Sequence, residues 1–211
     1  MRILVLGASQ GTGALAVRNA LDKGHHVTAF ARSPQKLAFD HPELKKVQGD
    51  FHQAASVDAA VPGHDAVIIT ASAASLGAFK ANPRYFSQGT GYTIAAMKNA
   101  GVKRLVILSA LGTGSSRSLM NPVVRLLVVD GLLKAAFADH QVQEQQARDS
   151  GLEWVVARPG RLTNGPARHR YKKTTAIERV PSSISRADVA DFLVDACAAP
   201  NWVASAVQIG G

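Results

Sequence analysis

The sequence predicts an α/β protein built as a doubly wound parallel sheet in a single domain. Three observations predict it. Short apolar runs recur along the chain, and stretches of helical period separate them. A glycine-rich segment joins the first apolar run to the first helical one. The 211 residues carry 46% hydrophobic content with no internal repeat or linker, which suits one core rather than two. A strand, a glycine-rich turn and a helix in that order make the expected sheet Rossmann-like.

Taken in order, Arg2 to Leu6 is an apolar run of the kind buried on both faces of a sheet. The turn Gly7-Ala-Ser-Gln-Gly11-Thr-Gly13 follows, then a helix through Leu15, Ala16 and Ala20 that ends at Gly24. His26 to Ala31 closes a strand–helix–strand unit. Lys45 to Gln48 reads as a third strand, and Gln53 to Val61 as a helix broken by Pro62-Gly63. Asp65 to Thr70 is a fourth strand, residues 75–86 a mobile loop, and Ser87 to Ala100 a helix capped by Gly101. Lys103 to Leu108 is a fifth strand, followed by a Gly/Ser-rich loop from Ala110 to Met120. Asn121-Pro122 opens a helical region to about Ser150, in two pieces around Asp130-Gly131. Glu153 to Ala157 is a sixth strand. Residues 162–183 are polar, with a short strand expected at Thr174 to Val180. Ser185 N-caps a helix from Arg186 to Ala198 with an apolar face of Val189, Phe192, Leu193 and Ala196. Ala206 to Ile209 is the last strand.

The turn after the first strand carries the functional signal. Glycines there let the backbone bend sharply and approach a pyrophosphate, and the following helix offers unpaired N–H groups and a positive dipole end. Gly7, Ser9, Gln10, Gly11, Thr12 and Gly13 are therefore expected to hold a dinucleotide. A cofactor that prefers a free ribose hydroxyl calls for an acid at the tip of the second strand. This chain has Arg32, Ser33 and Lys36 there, groups suited to a 2′-phosphate dianion. The expected cofactor is NADP(H). Thr70, Ala71 and Ser72 are small residues beyond the fourth strand that let a cofactor lie flat across the sheet edge. Asp50 either contacts that cofactor or N-caps the next helix.

Composition narrows the field. One cysteine, Cys197, excludes an internal disulfide and a cysteine metal cluster. No apolar run reaches the length of a membrane span, so a soluble, cytoplasmic protein is expected. The net charge of +9 fits an anionic cofactor with an anionic small-molecule substrate, or nucleic acid. Aromatic content of 6% and the lack of a recognition motif weigh against nucleic acid. A monomer or weak homo-oligomer is expected, with the apolar stretch Val123 to Val129 as a contact surface.

The glycine spacing G-x-x-x-G-x-G resembles the short-chain dehydrogenase/reductase superfamily. With GASQGTG stand Ala31-Arg32-Ser33, Gly49-Asp50, Asp65-Ala-Val-Ile, Ala95-Ala-Met-Lys98, Gly101-Val-Lys-Arg104, Asp139-His140, Ser150-Gly151-Leu152 and Ser185-Arg186-Ala-Asp188-Val. Together these resemble the atypical, NAD(P)H-binding NmrA-like group, and within it the members that reduce flavin or biliverdin with NADPH. The resemblance implies that Asp50 and Phe51 bracket an adenine, that Ser109 occupies the superfamily's catalytic serine position, and that Pro159 touches the nicotinamide. The superfamily's Tyr-x-x-x-Lys pair is missing: Tyr85, Tyr92 and Tyr171 are followed four residues on by Gly89, Ala96 and Thr175. Counting back from Gly151, His140 stands about where the lysine would hold the nicotinamide ribose. That departure disfavours alcohol dehydrogenation, which needs a positioned acid. Hydride transfer to a conjugated acceptor needs orientation more than a dedicated acid. Ser109 is expected to bond the nicotinamide amide or the substrate, and His140 to bind ribose or donate a proton. The basic residues from Arg158 and Arg161 to Arg179 are expected to form a cationic lid over an anionic acceptor. A redox-sensing NADP(H)-binding regulator and an isomerase or epimerase are the competing readings.

Overall fold

In a computed structural model, residues 1–71 and 81–211 are described. Among the described residues ten strands and five main helices follow in order: β1 (Arg2–Leu6), α1 (Gly11–Asp22), β2 (His26–Ala31), β3 (Leu44–Gln48), α2 (Ala54–Ala60), β4 (Ala66–Ile69), α3 (Tyr85–Ala100), β5 (Arg104–Leu108), α4 (Lys134–Asp149), β6 (Glu153–Pro159), β7 (Arg161–Thr163), β8 (Lys172–Thr174), β9 (Ser183–Ser185), α5 (Arg186–Asp195) and β10 (Ser205–Gly210). The main sheet runs β3-β2-β1-β4-β5-β6-β10-β8, parallel except for β8, and β7 pairs with β9 in a small second sheet.

Strand β1 shows why this sheet is covered on both sides. Ile3 and Val5 join a buried cluster with Val189 and Leu193 of α5, while Leu4 and Leu6 join another with Val57 and Met97. Successive side chains point to opposite faces, so an unbroken apolar run needs helices on each. Helices α1 and α5 pack together on one face; α2, α3 and α4 cover the other.

The chain leaves β1 in opposite directions: β2 and β3 lie to one side, β4, β5 and β6 to the other. Such a reversal opens a crevice at the carboxyl ends of the strands on either side of it. The turns that leave these strands carry much of the site described below, and helices α3, α4 and α5 supply the rest.

Three local expectations need correction. The short strand is β8 at Lys172–Thr174, antiparallel to β10, and Thr174 to Val180 is otherwise irregular. Asp50 does not cap α2, whose N-cap position is Gln53; its carboxylate accepts from the His52 backbone N–H at 2.9 Å. The loop at Ala110 to Met120 contains a turn of 3-10 helix over Gly114–Leu119. Of the expected mobile loop at 75–86, residues 75–80 lie outside the described residues, and Tyr85 and Phe86 belong to α3. Between Pro122 and Leu132 the backbone winds first as α- and then as π-helix, leaving Leu126 and Leu127 exposed. Among the described residues, no helix is long and apolar enough to cross a membrane.

Candidate functional site

The glycine turn is built by close packing. Gly7 has φ +90°, and a Cβ there would lie 2.6 Å from the Ala71 nitrogen, so the tips of β1 and β4 meet only because Gly7 has no side chain. The Thr70 hydroxyl fastens the same junction by donating to the Leu6 carbonyl at 3.0 Å. Gly13, inside the first turn of α1, lies so close to the Gly7 carbonyl and the Thr70 hydroxyl that a methyl group would overlap both. Gly13 therefore seats the helix on the sheet. The residue before α1, Gln10, is extended and makes no side-chain cap. The first N–H groups of a helix have no partner within it, and here the N-cap side chain does not supply one.

Nine of the expected cofactor residues line one cleft of about 410 Å³. The turn contributes Gly7, Ser9 and Gln10; the end of β2 contributes Arg32, Ser33 and Lys36; Asp50, Phe51 and Ala71 complete the set. Arg32 and Lys36 are exposed, and among the described residues neither is paired with a carboxylate. Five lining residues were not among the expected cofactor residues: Phe30, Ala31, Gly49, His52 and Tyr85. The His52 ring sits 3.3 Å from an Asp50 oxygen, 2.9 Å from the Tyr85 carbonyl, and edge-on to the Tyr85 ring at 4.3 Å. Burial is the main cause that pushes the Tyr85 phenol up. These contacts tie the β3 end of the cleft to the start of α3.

Arg186, read in the sequence only as the residue after a cap, also belongs to this region. Ser185 caps α5 by accepting from the Asp188 N–H, which sets Arg186 at the helix start. The Arg186 Nε lies 3.9 Å from where a Cβ of Gly11 would be, and its Nη1 donates to Asn164 Oδ1 at 2.6 Å. A guanidinium thus flanks the glycine turn from α5.

The other half of the edge, above β5 and β6, is organised differently. Ser109 follows β5, and its hydroxyl donates to Glu144 Oε1 at 2.7 Å. Glu144, on α4, is fully buried. Its Oε1 also accepts from Arg158 Nε at 3.0 Å, and its Oε2 from Arg158 Nη2 at 2.5 Å and Arg148 Nη2 at 2.8 Å. Burial would raise the carboxyl, but Arg158, Ser109 and Arg148 together hold it below the usual carboxylate range. The remaining Arg158 nitrogen, Nη1, donates to Ser115 Oγ. Arg158 was expected to meet substrate as part of a cationic lid. It is instead 2% exposed and committed beneath the edge, because a buried guanidinium needs this carboxylate. Arg161 is exposed on β7, away from that network. Of the rest of the basic segment, Lys172 pairs with Glu178 at 3.1 Å and Lys173 lies over the Tyr171 ring.

His140 is fixed by α3 and by its own helix. Its ring stacks on Phe86, centroids 3.8 Å apart, and its Nδ1 lies 2.9 Å from Gln143 Oε1. Gln143 in turn donates to the Thr90 hydroxyl. A carbonyl oxygen can only accept, so Nδ1 carries the proton in this pairing. Burial pushes the His140 pKa down, which favours the neutral ring. The preceding Asp139 accepts from the Phe86 and Ser87 N–H groups at 2.6 and 3.3 Å, capping the start of α3 from across the interface. Pro159 ends β6 in register with Ile209, its carbonyl accepting from Leu111. Gly11, Thr12, Gly13, Thr70, Ser109, His140 and Pro159 do not line the cleft. Ser72 lies outside the described residues.

Comparison with known proteins identifies the family and the fold. The model of a family described as NAD(P)H-binding matches residues 7–200. A 3β-hydroxysteroid dehydrogenase/Δ5→4-isomerase of Mycobacterium tuberculosis is 36% identical over 117 residues, 52% of this chain and 31% of that protein. The chain thus spans about a third of that relative's length. Among solved structures, a short-chain dehydrogenase/reductase from Veillonella parvula in complex with NADP superposes with a TM-score of 0.83 at 18% identity, covering 100% of this chain and 94% of the other. ChuY, an anaerobilin reductase from Escherichia coli O157:H7, superposes with a TM-score of 0.82 at 23% identity, covering 100% and 97%. At those identities the likeness is one of fold.

Proposed function

Because the chain belongs to the NAD(P)H-binding family, we propose that it is an NADPH-dependent reductase of a conjugated, anionic small molecule such as a flavin or a bilin. The observation that carries the choice of NADPH is the β2 end of the cleft, where Arg32, Ser33 and Lys36 stand with no acid among them. A doubly ionised 2′-phosphate suits two cations and a hydroxyl, whereas a free ribose hydroxyl pair has no carboxylate to receive it there. The glycine cradle at 7, 11 and 13 fits a pyrophosphate, since any Cβ at Gly7 or Gly13 would meet backbone. The Arg186 guanidinium and the first N–H groups of α1 would balance its charge. Asp50 and Phe51 would hold the adenine. When bound, the coenzyme supplies the hydride.

What the chain supplies is placement. With the adenosine end over β1–β3, a dinucleotide crossing the edge carries its nicotinamide over β4–β6, where Ser109, His140 and Pro159 lie. Neutral His140 would accept a ribose hydroxyl at Nε2, the place a lysine ammonium fills in the superfamily. Neither group is an acid at neutral pH. An acceptor whose added charge spreads over its own conjugated frame, with its proton from water, is the substrate that such an end serves best.

The same scarcity of acids supports the regulator reading, an NmrA-type protein that binds NADP(H) without turnover. The name of the Mycobacterium relative supports an isomerase on this scaffold. NADPH oxidation with FMN, biliverdin and a quinone as acceptors separates them. Turnover above free-solution rates that drops in Ser109→Ala supports the reductase. Tight NADPH binding with no turnover on any acceptor would overturn it in favour of the regulator.

A further inference from the structure

We infer that Ser109 is a hydrogen-bond acceptor locked by Glu144, and that it receives an N–H of the nicotinamide carboxamide rather than polarising a substrate carbonyl. The inference rests on the NADPH reading only in taking a nicotinamide to lie above β5 and β6.

The argument is one of proton inventory. A hydroxyl has one hydrogen and two lone pairs. An ionised carboxylate only accepts, and Glu144 is ionised, with three guanidinium N–H groups from Arg158 and Arg148 directed at it. The 2.7 Å contact between Ser109 Oγ and Glu144 Oε1 therefore uses the serine's only proton. Turning that proton toward a ligand would leave Glu144, which is 0% exposed, with one partner fewer. Among the described residues, none donates to Ser109 Oγ. Its lone pairs are what remains for a bound ring.

A carboxamide is the group on a nicotinamide that can use them. Its nitrogen carries two hydrogens, and the planar amide is fixed when one of them meets an acceptor at the edge of the sheet. The interaction sets which face of the ring is presented to the acceptor substrate. Glu144 is then a positioning residue: it touches neither ring nor substrate, and acts by holding the serine's proton on the inner side. The ion pair beneath also explains why a glutamate and an arginine 14 residues apart occupy one buried site below the chemistry.

The test replaces the carboxamide donor without touching the phosphates. In the 3-acetylpyridine analogue of NADPH, a methyl group stands where the amide nitrogen is. Calorimetric dissociation constants for NADPH and the analogue are compared in the full chain, with no substrate present. Wild type should bind NADPH about tenfold more tightly than the analogue, the worth of one hydrogen bond. Ser109→Ala, which leaves Glu144 its arginines, should bind the two within about twofold of each other. Ser109→Thr, which keeps the hydroxyl, should restore the preference. In Glu144→Gln the amide leaves the serine's proton free to turn outward, and the preference should fall. Equal binding of the two ligands by wild type, or an undiminished preference in Ser109→Ala, would overturn the inference while leaving NADPH binding intact. A wild-type protein that binds neither ligand would instead remove the coenzyme reading on which it rests.

Discussion

The two ends of the crevice are made in opposite ways. At the β1–β3 end the cleft is lined by the glycine turn and by Arg32 and Lys36, which pair with no carboxylate among the described residues. At the β5–β6 end Ser109 is engaged with Glu144, Glu144 with Arg158 and Arg148, and His140 with Gln143 and Phe86. On the proposed reading the first end meets the ligand's charge, while the second is already cross-linked by its own hydrogen bonds and ion pairs. Affinity and stability should therefore separate under mutation. Changes at the first end should alter which coenzyme binds while leaving the fold alone, and loss of the buried ion pair at the second should lower stability.

The largest expected effect is at the second end. Glu144→Ala leaves the Arg158 guanidinium buried without a carboxylate, and should cost about 3–5 kcal/mol of stability. Denaturant unfolding of the protein without coenzyme reads this directly; a loss below 1 kcal/mol would mean that water reaches Arg158. Gly13→Ala comes next and sits where the two ends join. Its methyl would overlap the Gly7 carbonyl and the Thr70 hydroxyl, so stability should fall by about 1–3 kcal/mol. NADPH affinity should fall with it, since α1 cannot reseat without moving its N-terminus. A Gly13→Ala protein with normal affinity would place the pyrophosphate elsewhere.

The smallest effect is a pH dependence. Burial holds His140 below its unfolded pKa of about 6.5. Below that pH the unfolded chain binds the proton more readily than the native one, so stability is lost as pH falls from 6.5 through the native pKa. The contribution cannot exceed about 1.4 kcal/mol per pH unit. His25 is shifted in the same direction, mainly by burial, so the measurement is the difference between wild type and His140→Gln from pH 7.5 to 5.5. The variant should show the shallower loss; parallel curves would mean that the ring titrates freely.

The same contrast governs what could be read from the chain. The parallel sheet, the cleft residues from Gly7 to Phe51 and the Ser185 cap are local: a strand, its turn and the next helix adjoin in sequence, and their residue types report the backbone's needs. Glu144 is invisible by that route. In sequence it looks like a helix-surface glutamate four residues before Arg148, an ordinary exposed pair. Only the pairing of β5 with β6, and the packing of α4 beneath them, brings it to Ser109 and Arg158. Arg158 was misplaced for the same reason: a basic residue beside Arg161 looks like part of a charged loop until its strand turns it inward. His52, Tyr85 and Arg186 likewise reach the crevice through tertiary contacts, with no spacing in the chain to announce them.

The claim on which the account turns is that Arg32, with Ser33 and Lys36, selects the phosphorylated coenzyme. Calorimetric titration of wild type and Arg32→Asp with NADPH and with NADH tests it most directly. Wild type should prefer NADPH by at least about tenfold, and Arg32→Asp should lose or reverse that preference with its unfolding free energy unchanged within about 0.5 kcal/mol. Equal affinity of wild type for the two coenzymes, or an unaltered preference in Arg32→Asp, would contradict it.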